Sequence, residues 1–155
     1  MAIEMEKGSV SIDAQNIMPV IKRWLYSDKD IFLREVVSNG CDAITKYRMT
    51  NPDDESEMSV MVTVDKENKP LTISDTGIGM TEDEVKRYIN QVAFSGASEF
   101  MKKFEGDEKK GDIIGHFGLG FYSVFMVSEN VEIETLSCQE GAEPVHWESK
   151  DGMDF

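Results

Sequence analysis

Glu35 and Asn39 stand four residues apart in "IFLREVVSNGCDAITKYRM", a stretch over 31–49 with the apolar spacing of an amphipathic helix. Residues at i and i+4 share a helix face, so the carboxylate and the carboxamide would point into the same space. Such a pair can orient a water or hold Mg²⁺, which takes few protein oxygens. Asp42 and Lys46 continue the stripe. Spacing alone leaves a solvated polar helix face as an open alternative.

A second candidate is "DTGIGM" over 75–80, which follows a predicted strand. A carboxylate at a strand end can accept hydrogen bonds from a ligand, and glycines after it let a flat ring approach the backbone. The same residues also describe an ordinary Asp-Thr-Gly turn. Aspartic proteases use this motif as well, but they need two such loops and the chain has one.

The third candidate is the glycine-rich run "IIGHFGLG" over 113–120, just before an apolar, helix-like segment at 121–129. Free backbone N–H groups and the positive end of a helix dipole could bind polyphosphate there. The run is not a Walker A loop, because GK[ST] is absent, and its spacing does not match GxGxxG. A mobile loop is the alternative.

The elements that must position these residues follow from periodicity and turn signals. Thr81 and Glu84 form a capping box at the start of a helix, and Asn68-Lys69 makes a hairpin turn between two strands. We expect one α+β domain, a two-layer sandwich with helices on one face of a mixed, mostly antiparallel sheet. Helices are predicted at 14–26, 31–49 and 81–92, with a short one after residue 95, and strands at 9–13, 58–67, 70–75, 130–137 and 143–150.

Composition narrows the possible partners. The chain of 155 residues has 16 basic and 30 acidic residues and a net charge of −14. That balance argues against nucleic acid or an anionic membrane as a partner, although a local nest of N–H groups can still bind a small anion. The sequence predicts neither a signal peptide nor a membrane-spanning helix. Cys41 and Cys138 match no metal spacing and are expected to be reduced thiols of a cytoplasmic protein.

Together the three motifs resemble the N-terminal ATPase domain of the heat-shock protein 90 family, and within it the bacterial (HtpG-type) branch. The resemblance is carried by "YSDKDIFLREVVSNGCDAITKYR", "DTGIGMT" and "IGHFGLGFYSVFMV", with "SGASEFM" and "WES" as further matches, and it covers roughly residues 9–155. Gyrase B subunits, sensor histidine kinases and MutL proteins share only the Glu/Asn, DxGxG and glycine-loop themes.

The resemblance implies a role for each candidate residue. Glu35 is similar to the general base that activates the attacking water, with Arg34 restraining its carboxylate. Asn39 is similar to the Mg²⁺ ligand, and Asp75 to the acceptor of the adenine amino group. The other residues expected to bind ATP or ADP are Asp42, Lys46, Gly79, Met80 and the phosphate loop with its flanking aromatic residue, Gly115, Gly118, Gly120 and Phe121.

The sequence also departs from the family pattern. Phe94 stands where a phosphate-binding lysine is usual, so one phosphate contact is expected to be missing. Gly40 stands where alanine is usual, and glycine inside a helix costs about 1 kcal/mol relative to alanine. The family domain continues past residue 155, so we expect residues 1–155 to be an incomplete N-terminal ATP-binding domain that lacks the middle and dimerisation domains.

The resemblance implies a function at two levels. The leading interpretation is an ATP-binding, Mg²⁺-dependent and ATP-hydrolysing domain of a chaperone, which acts on unfolded client proteins and whose parent protein is a homodimer. The isolated chain is expected to be weak or inactive in hydrolysis. The alternatives are a module that binds ATP or ADP without turnover, and the ATP domain of a sensor histidine kinase.

Overall fold

A computed structural model describes residues 5–8, 30–89, 121–150, 152 and 154–155. The described elements mix helices with antiparallel strands, which is the α+β class predicted from the sequence. The predictions for 9–13, 14–26, the short helix after residue 95 and the glycine run at 113–120 fall outside the described residues. In chain order the elements are α1 (Ile31–Thr50), β1 (Val60–Val64), β2 (Leu71–Asp75), α2 (Glu82–Tyr88), a 3-10 helix (Phe121–Met126), β3 (Val131–Thr135) and β4 (Val145–Ser149).

The first β-hairpin joins β1 and β2 in antiparallel register, from Val60 opposite Asp75 to Val64 opposite Leu71. The Asp65 carboxylate closes the turn by accepting the backbone N–H groups of Glu67 and Asn68, at 3.0 and 3.2 Å. Lys69 then takes a left-handed conformation with φ of 67°. The predicted hairpin is confirmed, with strands shorter than the alternating pattern indicates.

The second β-hairpin pairs β3 with β4 in antiparallel register, from Val131 opposite Ser149 to Thr135 opposite Val145. Its outer face carries Glu132, Glu134, His146 and Glu148, which are exposed. Among the described strands, backbone ladders join β1 to β2 and β3 to β4 only. The predicted sheet is therefore present here as two antiparallel pairs.

The hydrophobic core lies where α2, the 3-10 helix and the second hairpin meet. Val85, Ile89 and Trp147 are its buried residues. The Phe121 ring packs edge-on against Trp147 with 5.9 Å between ring centroids, and against Phe125 with 6.3 Å. The helix-like apolar run predicted at 121–129 is a 3-10 helix over its first six residues.

The capping box of α2 is present as predicted. The Thr81 hydroxyl accepts the Glu84 N–H at 3.3 Å, and the Glu84 carboxylate accepts the Thr81 N–H at 2.8 Å. One turn later, the Lys86 ammonium lies 2.6 Å from the Glu6 carboxylate and 2.8 Å from that of Glu82. These two carboxylates raise the pKa of Lys86 above its ordinary value.

The C-terminal end of α1 is fixed by side chains. The Asn51 amide donates to the Tyr47 carbonyl at 3.0 Å, and the Tyr47 hydroxyl donates to the Asp54 carboxylate at 2.6 Å. Hydrogen bonds from Ser56 and Tyr47 lower the pKa of Asp54 to about 2. No helix in the described ranges is long and apolar enough to cross a membrane.

Candidate functional site

The acid–amide pair predicted on α1 lies on the helix as the i, i+4 spacing requires. Glu35 and Asn39 are both half-buried, and Arg34 beside them is exposed. Within the described part of the chain, neither the Glu35 carboxylate nor the Asn39 amide makes a side-chain hydrogen bond. Both groups are therefore available to a ligand approaching this side of α1.

The stripe continues into more buried surroundings. Asp42 is 4% exposed and Lys46 is half-buried. Burial lowers the pKa of Lys46, while the nearby carboxylates of Asp42 and Glu84 act in the opposite direction. Lys46 of α1 thus interacts electrostatically with Glu84, which belongs to the capping box of α2.

Asp75 at the end of β2 lies directly against α1. A Cβ atom built on Gly40 would lie 3.3 Å from the Asp75 Cβ and 3.1 Å from a Val60 methyl group. Gly40 itself is buried and follows Asn39 in the helix. The fold therefore brings the predicted adenine-binding carboxylate to the same turn of α1 that carries the predicted Mg²⁺ ligand.

The Asp75 carboxylate is held by the backbone of the motif that follows it. Its Oδ1 atom accepts the Gly77 N–H at 2.8 Å. The side chain is solvent-exposed, yet the protein around it partly desolvates the carboxylate, and this raises the pKa of Asp75 against the smaller, lowering effect of the Gly77 hydrogen bond. Oδ2 is left as the acceptor for a ligand that donates hydrogen bonds.

Gly77 marks the closest approach between this motif and α1. A Cβ atom at Gly77 would lie 2.5 Å from the carbonyl carbon and from the Cβ of Ala43. The next residue, Ile78, donates its N–H to the Ala43 carbonyl at 3.0 Å. Only a residue without a side chain fits at position 77, so the motif at 75–80 packs directly against α1.

The end of the motif contacts the segment after β3. Gly79 has φ of 64°, and a Cβ atom there would lie 2.0 Å from the Leu136 carbonyl oxygen. The Met80 N–H donates to the Thr135 hydroxyl at 3.0 Å, and the Met80 side chain packs against the core. Residues 76–80 thus lie between α1 on one side and the second hairpin on the other.

The predicted phosphate loop can be placed only at its last residue. The Phe121 side chain packs in the aromatic core against Trp147. Its backbone begins the 3-10 helix. Phe94 and the predicted loop glycines, Gly115, Gly118 and Gly120, lie outside the described residues.

The donor set on α1 can be compared with what a divalent cation needs. In the described ranges no group of three or more His, Cys, Asp or Glu side chains could hold a metal ion. A Mg²⁺ site does not need such a group, because the ion keeps several waters and is bound by one or two protein oxygens together with substrate phosphates. The Asn39 amide oxygen, with Glu35 one turn away, fits that requirement.

Two participants, Ala43 and Thr135, were not identified from the sequence, and Gly77 was identified only as a glycine that lets a flat ring approach the backbone. In the structure Ala43 meets Gly77 at a close approach between segments that are distant along the chain, and Thr135 receives the Met80 N–H. A glycine directly after Asp-Thr was a usable signal for Gly77, because a turn alone does not require glycine at that position. Ala43 and Thr135 carried no such signal.

Comparison with known proteins agrees with this geometry. The chain is 51% identical over 147 residues to the chaperone protein HtpG of Porphyromonas gingivalis, an alignment of 92% of this chain and 21% of that protein. It is 47% identical over 156 residues to HtpG of Bacteroides fragilis, covering 97% of this chain and 22% of the relative. A mitochondrial TNF receptor-associated protein 1 homolog of Dictyostelium discoideum is 39% identical over 151 residues, covering 93% and 21%.

The chain therefore spans about a fifth of the length of these curated relatives. The profile that describes histidine kinase-, DNA gyrase B- and HSP90-like ATPases matches residues 27–151, which contain α1, both hairpins and the motif at 75–80. The chain belongs to the family of histidine kinase-, DNA gyrase B- and HSP90-like ATPases.

Proposed function

We propose that this chain is the ATP-binding and ATP-hydrolysing part of an HSP90-type chaperone. The proposal rests above all on one contact, the packing of Asp75 against α1 at Gly40, where an added Cβ atom would lie only 3.3 Å from the Asp75 Cβ. It places an acceptor for a purine amino group beside the turn that carries Asn39 and Glu35. The similarity to HtpG over nearly the whole chain supports the same function.

Adenine recognition is assigned to the strand end and the glycine motif. Asp75 Oδ2 accepts the adenine amino group while Oδ1 stays on the Gly77 N–H. Gly79 is assigned to the base through its main chain, because the Leu136 carbonyl occupies the space that a side chain would fill. Asp42 and Lys46 line the same wall from α1, and Met80 contributes the apolar surface next to the base.

Hydrolysis is assigned to Glu35. Its carboxylate takes a proton from the water whose oxygen attacks the γ-phosphorus, and the bond between that phosphorus and the ADP oxygen breaks. Arg34, its exposed neighbour, is assigned to restrain the carboxylate once the nucleotide is bound. Phosphoryl transfer asks the protein mainly for alignment and charge stabilisation, so one oriented base suffices for the covalent step.

Asn39 is assigned as the protein ligand of Mg²⁺. A divalent cation bound there supplies neutralisation of phosphate charge. The role of this chain is to hold the amide oxygen of Asn39 on the same helix face as the general base, Glu35. The predicted phosphate loop, Gly115, Gly118 and Gly120 with the main chain of Phe121, is assigned to the phosphates.

The surrounding protein is proposed from the relatives. Residues 1–155 are assigned to the N-terminal ATP-binding domain of a longer, cytoplasmic and homodimeric chaperone, because about a fifth of each HtpG relative aligns with nearly all of this chain. The middle and dimerisation domains, and the surface that binds unfolded clients, are assigned to the rest of that protein.

Calorimetric titration with Mg·ADP tests the proposal directly. We expect saturable binding with one nucleotide per chain and a loss of heat when EDTA removes the metal. A chain that is folded by circular dichroism but gives no binding heat with Mg·ADP or Mg·ATP at millimolar concentration would contradict the nucleotide assignment.

A further inference from the structure

The inner face of β3 ends on a residue that breaks its apolar pattern. Val131, Ile133 and Thr135 occupy successive half-buried positions. Strands with one buried face alternate with period two, so a third apolar β-branched residue would suit position 135. The Thr135 hydroxyl oxygen instead accepts the Met80 backbone N–H at 3.0 Å in a part-buried setting.

Two further contacts hold the same short stretch of backbone. The Cys138 N–H donates to the Ile78 carbonyl at 2.9 Å. The Leu136 carbonyl lies against Gly79, where a Cβ atom would be only 2.0 Å from its oxygen. Residues 135–138, which we call the β3 extension, therefore hold Ile78–Met80 from the side opposite α1.

We infer that Thr135 is a positioning residue for the base-binding side of the nucleotide site. The inference rests on the proposed function, in which Gly79 and Met80 lie next to adenine. Thr135 acts through the Met80 N–H, which needs an acceptor because a part-buried donor without a partner is costly. With the acceptor present, the backbone at Gly79 and Met80 stays in one place before the ligand arrives.

Removing the Thr135 hydroxyl is expected to change both the order of the backbone at Gly79 and Met80 and the affinity for the nucleotide. Without the Thr135 hydroxyl, the Met80 N–H must turn toward water, and the main chain at Gly79 moves with it. An unpaired buried donor costs about 1–3 kcal/mol, which corresponds to about 5- to 150-fold in a binding constant if the ligand must restore the original backbone position.

The test uses three substitutions at one position and one elsewhere. Thr135→Val keeps the shape and removes the acceptor, Thr135→Ala removes it without branching, and Thr135→Ser restores a hydroxyl. Thr72→Val changes an exposed threonine of β2 and serves as the matched control. For each chain, Mg·ADP affinity is measured by calorimetry and amide exchange at Met80 by NMR.

We expect Thr135→Val and Thr135→Ala to weaken Mg·ADP binding by about fivefold or more and to speed Met80 exchange, with Thr135→Ser and Thr72→Val near wild type. If Thr135→Val does not fold, Thr135→Ala and Thr135→Ser carry the comparison. Wild-type affinity in a folded Thr135→Ala chain would overturn the inference and leave the proposed function intact. A wild-type chain that binds no Mg·ADP would overturn the proposed function and the inference with it.

Discussion

Gly40 of α1 and Asp75 of β2 pack against each other so closely that a methyl group on Gly40 would lie 3.3 Å from the Asp75 Cβ. The same methyl would lie 3.1 Å from a side-chain atom of Val60. Glycine weakens a helix interior, so its presence beside Asn39 calls for a reason. The reason is contact, because the smaller residue lets α1 lie against the strand that carries the predicted adenine acceptor.

Substitutions at Gly40 therefore test that contact. In Gly40→Ala, a gain of about 1 kcal/mol in helix propensity offsets a tight contact that the Val60 methyl can relieve by a small shift. In Gly40→Val, the branched side chain has no such relief and overpacking costs about 1–3 kcal/mol. We expect urea unfolding to show a near-neutral alanine variant and a destabilised valine variant with weaker Mg·ADP binding. A valine variant as stable as wild type would show that the contact is loose.

Gly77→Ala is expected to damage the site by forcing the motif away from α1. The new Cβ would lie 2.5 Å from the Ala43 backbone, which cannot move aside without shifting α1. Gly141→Ala is the control: its φ of 78° disfavours alanine by about 1–2 kcal/mol, but nothing lies within 4 Å of the new atom.

Thermal unfolding and Mg·ADP titration of Gly77→Ala and Gly141→Ala distinguish a general loss of stability from a change in the geometry of the site. Both variants should lose stability, whereas only Gly77→Ala should lose nucleotide affinity. Equal affinity in the two variants would remove the Gly77–Ala43 contact from any role in binding.

Asp75→Asn is expected to move stability and binding in opposite directions. Desolvation raises the pKa of Asp75 in the folded chain, so the folded state binds this proton more tightly than the unfolded state does. The stabilisation that results is fully present below the ordinary pKa of about 3.9 and is lost as the pH rises through the raised pKa. At pH 7 the ionised carboxylate therefore costs stability, and the asparagine variant without nucleotide should be at least as stable as wild type. That advantage should disappear below about pH 4.

Asp75→Asn is expected to weaken nucleotide binding, because it replaces a hydrogen-bond acceptor by a donor. In the Asp75→Asn chain, the amide oxygen would keep the Gly77 N–H and the amide NH₂ would turn toward the adenine amino group, so that two donors meet. We expect Mg·ADP affinity to fall by about tenfold or more, because one donor is left unpaired. Asp53→Asn, at an exposed turn, is the control. Unchanged affinity in Asp75→Asn would remove Asp75 from adenine recognition.

Glu35→Gln is expected to separate binding from turnover. The amide keeps the size of the side chain but cannot take a proton from water, and general-base catalysis contributes about 10²–10⁴-fold to a rate. Phosphate release should therefore fall by at least about 100-fold while Mg·ADP affinity stays at the wild-type value. Glu57→Gln, on an exposed residue, is the control.

The full-length protein is the better setting for this measurement if the isolated chain turns over too slowly to assay. Turnover that survives Glu35→Gln would assign the base to another residue, and joint loss of binding and turnover would assign Glu35 to the structure of the site.

The sequence predicted those elements whose signals are local. The hairpin at 60–75 follows from alternation around Asn68-Lys69, and the capping box follows from Thr81 and Glu84, three residues apart. The run after residue 121 was predicted only as helix-like, because apolar composition does not distinguish a 3-10 helix from an α-helix.

The candidate site was predictable in its residue types and not in its contacts. Glu35 and Asn39 share a helix face by spacing alone. The meeting of Gly40 with Asp75, and of Gly77 with Ala43, depends on how two distant segments pack, which periodicity does not encode. The roles assigned to Glu35, Asn39 and Asp75 remain predictions that the variants above test.

The hydrogen bonds of residues 76–80 have a consequence for how the domain unfolds. This segment hydrogen-bonds to α1 through Ile78, to the first hairpin through Thr76 and Ser59, and to the second hairpin through Met80. Since the two described β-pairs share no ladder, these bonds couple them, together with the packing of α1 on the 3-10 helix. A nucleotide seated on residues 76–80 would then act as a further cross-link, so that the two β-pairs unfold more cooperatively.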